Sequence, residues 1–473
     1  MIAINNRRDF LKSTAALGAG YWVAGGVAPR PTYRSKLDRV RFACIGVGGK
    51  GSSDLTDAAR LGDVLGICDI DGSYLDQAAG KVAGAKKYFD YRQMLDELAD
   101  SIDAVTVSTP DHTHAVAALH AMRMGKHCFC QKPLTHSIEE SRMMSQVARE
   151  HNLMTQMGNQ FTADSNLRQS AALIKAGVIG TVKEVHVWTN RPVWPQGDDA
   201  KTPEEAIPDS IKWDLWIGPA EPHPFSSLIH PFKWRGLWKF GTGALGDMAC
   251  HTLNMSFMAL NLRNPTSVVA ESSGHNGVFY PKWSKITFEF PELDGRPALK
   301  MFWYDGDQKP LELMADLPRQ PSNRPQDQWS HFGSAALLVG DKGMFYSPGD
   351  YGGEPGSTGI VRDGEFTRIR RIERANEVEY ERSPGHFEEL VDAITGKRTT
   401  PPVSNFPDYA GPLTETNLLG NLAVWASGTK IEWNAESMEI TSNHSADQLA
   451  TLQKIVRKEY HNGFEIHETV GAR

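Results

Sequence analysis

Between Val40 and Gly158 short apolar runs alternate with amphipathic segments, the pattern of a parallel sheet covered by helices. The runs predict strands at Val40–Ile45, Val64–Cys68, Ala104–Ser108, His127–Cys130 and Leu153–Met157. One intervening helix opens at Thr113, carries Val116, Ala117 and Leu119 as far as Met124, and stops at Gly125. Another follows Ser137, where Glu140 three residues on makes a capping box. Beyond Gly158-Asn159-Gln160 the pattern changes. A helix over Ser165–Lys175 leads through a turn at Gly177 to Gly180 into a strand at Val182–Thr189. Strand-like runs then recur at Lys285–Phe290, Ala298–Tyr304 and Ala335–Val339, mixed with glycine and proline turns, and read as a mostly antiparallel sheet. Pro318–Pro325 and Ser347–Gly359 read as long surface loops, with helices returning at His386–Ile394 and Leu413–Trp425. The resulting division is 1–35 a leader and linker, 36–158 a nucleotide-binding domain, 159–440 a second α/β domain, and 441–473 a tail.

The first strand runs straight into Gly46-Val47-Gly48-Gly49-Lys50-Gly51, a GxGxxG loop between strand and helix. In such a loop Gly46 allows the tight turn, Gly48 lets backbone approach a pyrophosphate, and Gly51 permits helix to pack on strand; Gly49 counts with them as a cofactor-binding residue. The second strand ends in Asp69, about 18 residues past the last glycine, where a carboxylate takes adenosine ribose hydroxyls. Its charge repels a 2′-phosphate, which favours NAD over NADP.

Composition changes this picture little. A chain of 473 residues with a net charge of −7 and no long basic run offers no electrostatic footprint for nucleic acid, and small neutral partners fit better. Cys44, Cys68, Cys128, Cys130 and Cys250 are odd in number, and four lie in apolar runs, so they read as core thiols; no metal site is assigned. The leader does matter. Arg7-Arg8-Asp9-Phe10-Leu11-Lys12 before an apolar small-residue segment, Ser13 to Ala28, resembles a twin-arginine export signal. It predicts a periplasmic or exported protein that meets the twin-arginine machinery, membrane-tethered if the signal stays uncleaved.

Two further loops follow strand ends: Ser108-Thr109-Pro110-Asp111-His112-Thr113-His114 and Cys130-Gln131-Lys132-Pro133. In the second half, a glycine-rich approach from Gly241 leads into an apolar helix that sets Asp247 and His251 at i and i+4 on one face. An aspartate so placed can orient an imidazole that takes a hydroxyl proton; the same pair could bind a divalent metal or satisfy itself in the core. With the glycine loop, these segments resemble the glucose-fructose oxidoreductase, inositol dehydrogenase and MocA (Gfo/Idh/MocA) family.

The resemblance implies a Rossmann domain, a C-terminal open sheet that carries homo-oligomer contacts, and hydride transfer between nicotinamide and a carbohydrate. It implies His251 as acid/base, Asp247 as its partner and Lys132 as the third catalytic member. It also implies cofactor contacts from Thr109, Pro110, His112, His114, Gln131, Lys132 and Asn159, beside the glycines and Asp69. His112 and His114 could otherwise be capping or core histidines, and Lys132 an exposed loop lysine. The family's Glu-Lys-Pro turn is here Gln131-Lys132-Pro133, which removes a carboxylate next to the lysine. Six tryptophans, Trp188, Trp194, Trp213, Trp216, Trp234 and Trp238, precede the Asp247 helix, and two or three of them are expected to wall a sugar site.

Three functions are in view: a simple NAD-dependent sugar dehydrogenase, an NAD-dependent glycosidase or lyase working by transient oxidation and elimination, and a non-catalytic sugar sensor. Export favours redox-neutral turnover with a tightly bound cofactor, because the periplasm has no large NAD pool to exchange with.

Overall fold

The computed structural model describes residues 39–467 apart from 322–328, 355 and 374. The twin-arginine stretch and the end of the tail lie outside the described residues. Among the described residues no helix is long and apolar enough to cross a membrane.

The nucleotide-binding half alternates β1 (Val40–Ile45), α1 (Lys50–Leu61), β2 (Gly62–Cys68), α2 (Gly72–Ala79), β3 (Lys86–Tyr88), α3 (Tyr91–Leu98), β4 (Ala104–Val107), α4 (Asp111–Arg123), β5 (His127–Cys130), α5 (Ile138–Glu150) and β6 (Thr155–Met157). Its strands form one parallel sheet in the order β3-β2-β1-β4-β5-β6. Every residue of β4 and β5 is buried, as helices on both faces require. β3 had no signal in the sequence: Lys86-Lys87-Tyr88 is short, and none of its side chains is fully buried. The strand order reverses between β1 and β4, so the crevice at their carboxyl ends collects the loops after β1, β4 and β5. Backbone bonds extend the ladder past the strand ends and bring these loops together: Ser108 N to Ile45 O at 2.8 Å, Gln131 N to Val107 O at 2.9 Å.

The second half begins with α6 (Ser165–Lys175), β7 (Val182–Trp188) and the short α7 (Trp213–Ile217), then α8 (Gly243–Thr252) and α9 (Asn254–Leu260). The strands β8 (Ser267–Ser272), β9 (Ser284–Phe290), β10 (Leu299–Tyr304), β11 (Arg319–Pro321), β12 (Trp329–His331), β13 (Ala335–Gly340), β14 (Gly343–Pro348), β15 (Gly359–Arg362) and β16 (Glu365–Arg368) follow. α10 (His386–Ile394), α11 (Gly411–Trp425), β17 (Ile431–Asn434), β18 (Glu439–Ile440) and α12 (Ala446–Val456) complete the chain. Ten strands form a sheet in the order β16-β15-β14-β13-β7-β10-β9-β8-β17-β18, while β11 and β12 pair separately. Within it β7 and β10 run parallel and the other paired strands antiparallel.

α8 and α11 cover one face of this sheet. Gly420 makes that possible, because a Cβ there would sit 2.4 Å from Leu245 and 2.8 Å from Phe288. A single core then runs from Val105 and Leu119 of the first half to Phe288 and Leu422 of the second. The chain also returns to the parallel sheet late. Phe387, Leu390, Val391 and Ile394 of α10 pack with Phe42 and Phe129, and residues beyond α12 cross back over α4 and α5. All five cysteines are buried free thiols.

Candidate functional site

The glycine loop sets the site's first wall. Gly46 adopts φ +77°, and a Cβ on it would lie 2.6 Å from Ser108 O; at Gly51 it would lie 2.0 Å from Gly46 O. Those two glycines therefore serve the turn and the helix–strand contact. At Gly48 a Cβ would meet the Tyr74 ring at 2.4 Å, whereas Gly49, with φ +50°, has nothing within 4 Å. The backbone that lies open to an incoming ligand is thus that of Gly49 rather than Gly48, and no side chain caps α1 behind it. Asp69 faces the same loop, its Oδ2 accepting from Val47 N at 2.8 Å and Gly48 N at 3.1 Å. Burial raises its carboxyl pKa, while the N–H groups of Asp71, Val47 and Gly48 act in the opposite direction.

From this loop a cleft of about 530 Å³ runs to the second half of the chain. Gly46, Gly48, Gly49, Asp69, Thr109, Pro110, Gln131, Lys132, Asp247 and His251 line it, so most of the expected site residues share one cavity. At its far end Lys132 Nζ donates to Asp247 Oδ1 and to Asp247 O, both at 2.8 Å. Arg235 Nε donates to the same Oδ1 at 3.1 Å, its guanidinium lying over the Phe232 and Trp234 rings at 4.6 and 4.3 Å. Burial would raise the Asp247 carboxyl, but Lys132 and Arg235 outweigh it and hold the group well below the usual carboxylate range.

His251, one turn on, is 3% exposed. Burial, and after it the Lys132 charge, pushes its pKa well below the ordinary histidine value, so the ring is neutral. Its Nδ1 is buried with no hydrogen-bond partner among the described residues. The Asp247 oxygens bond to Lys132 and Arg235 rather than to this ring, so Asp247 acts on His251 through charge. Tyr351 stands edge-on to the imidazole at 4.8 Å and stacks on Phe161 at 4.8 Å.

Four expected cofactor contacts fall outside the cleft lining: Gly51, taken up by the helix–strand contact, and the side chains of His112, His114 and Asn159. His112 is fully buried, its Nε2 2.9 Å from Trp216 O and its ring 5.1 Å from both Trp216 and Phe240. His114 bridges two loops, Nδ1 to Pro133 O at 2.9 Å and Nε2 to Thr109 O at 2.7 Å. Asn159 is buried behind the cleft, where its Oδ1 accepts from Ser404 Oγ. His112, His114 and Asn159 instead place backbone or loops that line the cavity. Gln131 is explained by its neighbour: its Nε2 donates to Asp54 Oδ2 at 2.8 Å, beside Ser108 Oγ at 2.8 Å, while Lys50 Nζ holds Oδ1 at 2.6 Å. The buried carboxylate here is Asp54, and an amide at 131 is what bonds to it.

Of the six tryptophans, Trp194, Trp216 and Trp234 line the cleft, while Trp188 and Trp238 are packed elsewhere and Trp213 stacks behind Trp216 at 4.5 Å. Arg191, Tyr351 and Phe464 are among the lining residues that sequence reasoning missed. Tyr351 carried no signal beyond membership of a predicted loop.

Two family models match the chain, "Oxidoreductase family, NAD-binding Rossmann fold" over residues 40–159 and "Oxidoreductase family, C-terminal alpha/beta domain" over 165–297. Both are models of the Gfo/Idh/MocA group, and together they span more than half of the chain. The chain belongs to the Gfo/Idh/MocA oxidoreductase family.

Among curated relatives of this family member are a "Glycosyl hydrolase family 109 protein" of Shewanella sp. strain W3-18-1, 34% identical, and an "Alpha-N-acetylgalactosaminidase" of Shewanella oneidensis, 32% identical, each over 162 residues. Each match takes in 28% of this chain and 35% of the relative, so the chain spans about a third of the length of these proteins. Solved structures of similar fold include the WlbA dehydrogenase of Bordetella pertussis in complex with NADH and UDP-GlcNAcA, at TM-score 0.58 and 15% identity, over 84% of this chain and 99% of that one. The aldose-aldose oxidoreductase of Caulobacter crescentus follows at TM-score 0.53 and 15% identity, over 83% of this chain and 99% of that one. At such identities they show the fold: an NAD-binding Rossmann domain joined to a large, mostly antiparallel sheet.

Proposed function

We propose that this chain oxidises a hydroxyl-bearing carbon of a sugar or glycoside with NAD, and that Lys132, Asp247 and His251 carry the chemistry. The observation that supports it most is the single cleft that joins an open glycine loop and Asp69 to the Lys132–Asp247 pair beside a neutral imidazole. The residues fit the nucleotide: Gly49 leaves room for a pyrophosphate at the start of α1, and Asp69 offers its carboxylate to the ribose. Its charge favours NAD over NADP. Bound there, NAD supplies the hydride acceptor.

Neutral His251, which lines the cleft, accepts the hydroxyl proton at Nε2. Lys132, fixed at two oxygens of Asp247, presents its remaining N–H to the substrate oxygen. The anionic Asp247 favours the imidazolium that results. Trp194, Trp234 and Phe232 offer ring faces to a sugar, and Arg191 and Arg235 offer donors to its hydroxyls.

The relatives named glycosyl hydrolases favour a second reading on the same residues. Oxidation of one ring carbon acidifies the neighbouring C–H; a base removes that proton, the aglycone leaves, water adds, and the hydride returns to the sugar. Export by the twin-arginine route, resting on the Arg7-Arg8 segment, suits this redox-neutral cycle, and oligomerisation through the C-terminal sheet belongs to the same proposal. The test is to give NAD-loaded protein a panel of free sugars and aryl glycosides while following reduced nicotinamide and released aglycone together. Aglycone release with catalytic nicotinamide favours the second reading; accumulating reduced nicotinamide without cleavage favours the first; neither signal from any substrate rejects both.

A further inference from the structure

The segment after α12 does not hang free. Lys458 is half-buried and donates from Nζ to His112 O at 2.7 Å, and Tyr460 Oη donates at 2.8 Å to Glu140, the carboxylate of the α5 capping box. His461 N donates to Pro219 O at 3.0 Å, and Asn462 Nδ2 to Gly218 O at 2.8 Å and Ala220 O at 3.0 Å. Further on, Ile466 is fully buried and its carbonyl accepts from Arg123. Phe464 lies between these two anchors. Its ring is 4.6 Å from the Arg92 guanidinium, and it lines the end of the cleft that Asp69, Phe89, Tyr91 and Trp216 also line.

The turn that Asn462 grips is itself hooked onto the end of β2. Gly72 N donates to Ser210 O and Lys212 N to Ile70 O, each at 2.9 Å, which lays residues 210–220 across the exit from Asp69. Two segments from distant parts of the chain therefore meet at this end of the cleft and are fastened to each other.

We infer that residues 457–467 are part of the nucleotide site, with Phe464 closing the adenosine end, and that they form a strap which retains the cofactor. This rests on the NAD reading of the cleft. Aromatic and apolar walls with one carboxylate suit a flat base and its ribose. The nucleotide cannot pass the mouth while Asn462 and Ile466 hold Phe464 in place, so release waits on lifting the strap, and lifting breaks several hydrogen bonds at once. The strap slows release more than it alters the chemistry.

The experiment uses the full-length protein loaded with NAD and measures release of bound labelled NAD during a chase with excess unlabelled NAD, with circular dichroism as the check on folding. Phe464→Ala and Asn462→Ala should each release NAD roughly tenfold faster or more than wild type, and Phe464→Leu, which keeps apolar bulk, should fall between. Folded Phe464→Ala and Asn462→Ala proteins with wild-type release rates overturn the strap alone. Failure of the wild type to bind NAD at all overturns the nucleotide reading, and the strap with it.

Discussion

Lys132 Nζ reaches Asp247 twice, at the carboxylate and at the main-chain oxygen, both at 2.8 Å, and so ties the loop after β5 to the helix that carries His251. A buried pair of this kind is a joint as well as an ion pair. Removing either partner leaves the other charge without its main compensation. Lys132→Ala and Asp247→Ala should each lower turnover by about 10²–10⁴-fold while NAD stays bound, because the nucleotide is held at the other end of the cleft. Steady-state rates beside equilibrium NAD binding check this; unchanged turnover in both variants removes these residues from the catalytic group.

The state of His251 gives a pH prediction. Its folded pKa is depressed by burial and by Lys132, with Arg191 a lesser contributor, so the neutral base persists below the ordinary histidine range. The acid limb of the rate profile should therefore lie below about pH 6.5. Arg191→Gln removes one of the depressing charges, so the limb should move upward in pH.

Gln131 makes a prediction against the family pattern. Gln131→Glu would set a second carboxylate against Asp54 in place of a 2.8 Å hydrogen bond, at a position 6% exposed. We expect a loss of about 1–3 kcal/mol in stability near neutral pH, read by denaturant unfolding, with part of the loss recovered as the pH falls and one carboxylate takes a proton.

Acid stability follows from buried neutral histidines. Burial lowers His127 to about 4, and pushes His112 well below its ordinary value. For both groups the unfolded chain binds the proton first. Their contribution is complete above the unfolded pKa of about 6.5 and is lost as the pH falls, His127 levelling off once it passes about 4. Each group should lower unfolding free energy by on the order of 1.4 kcal/mol per pH unit within its window, and His127→Gln should flatten the slope between those limits.

The first half of the molecule was largely legible because its signals are local. A strand running into GxGxxG, the acidic end of β2 and the Ser137 capping box each lie within a few residues, and β1 and β5 occupy the expected spans. His112 and His114 show where this kind of reading stops. Proximity to Pro110 in sequence suggests the cleft, but the first residues of α4 turn these rings toward Trp216 and toward the Pro133 carbonyl. Arg191 and Tyr351 reach the cleft from a loop after β7 and a loop after β14, and only the packed sheet brings them there. In the sequence residues 457–467 are a plain tail for the same reason: Lys458 and Phe464 acquire meaning only against α3, α4 and α5.

The most direct test of the central proposal is to follow the hydride itself. NAD-loaded protein is mixed with a carbon-deuterated form of whichever sugar or glycoside is turned over, and the cofactor released by denaturation is weighed by mass spectrometry. Hydride transfer from the sugar predicts deuterium in the nicotinamide of the wild type and none in His251→Ala. A hydride handed back to the sugar clears the label only when the cycle closes. Substrate turnover by the wild type with no deuterium in the nicotinamide at any quench time within the first turnover, and with no slowing by the deuterated carbon, would contradict it.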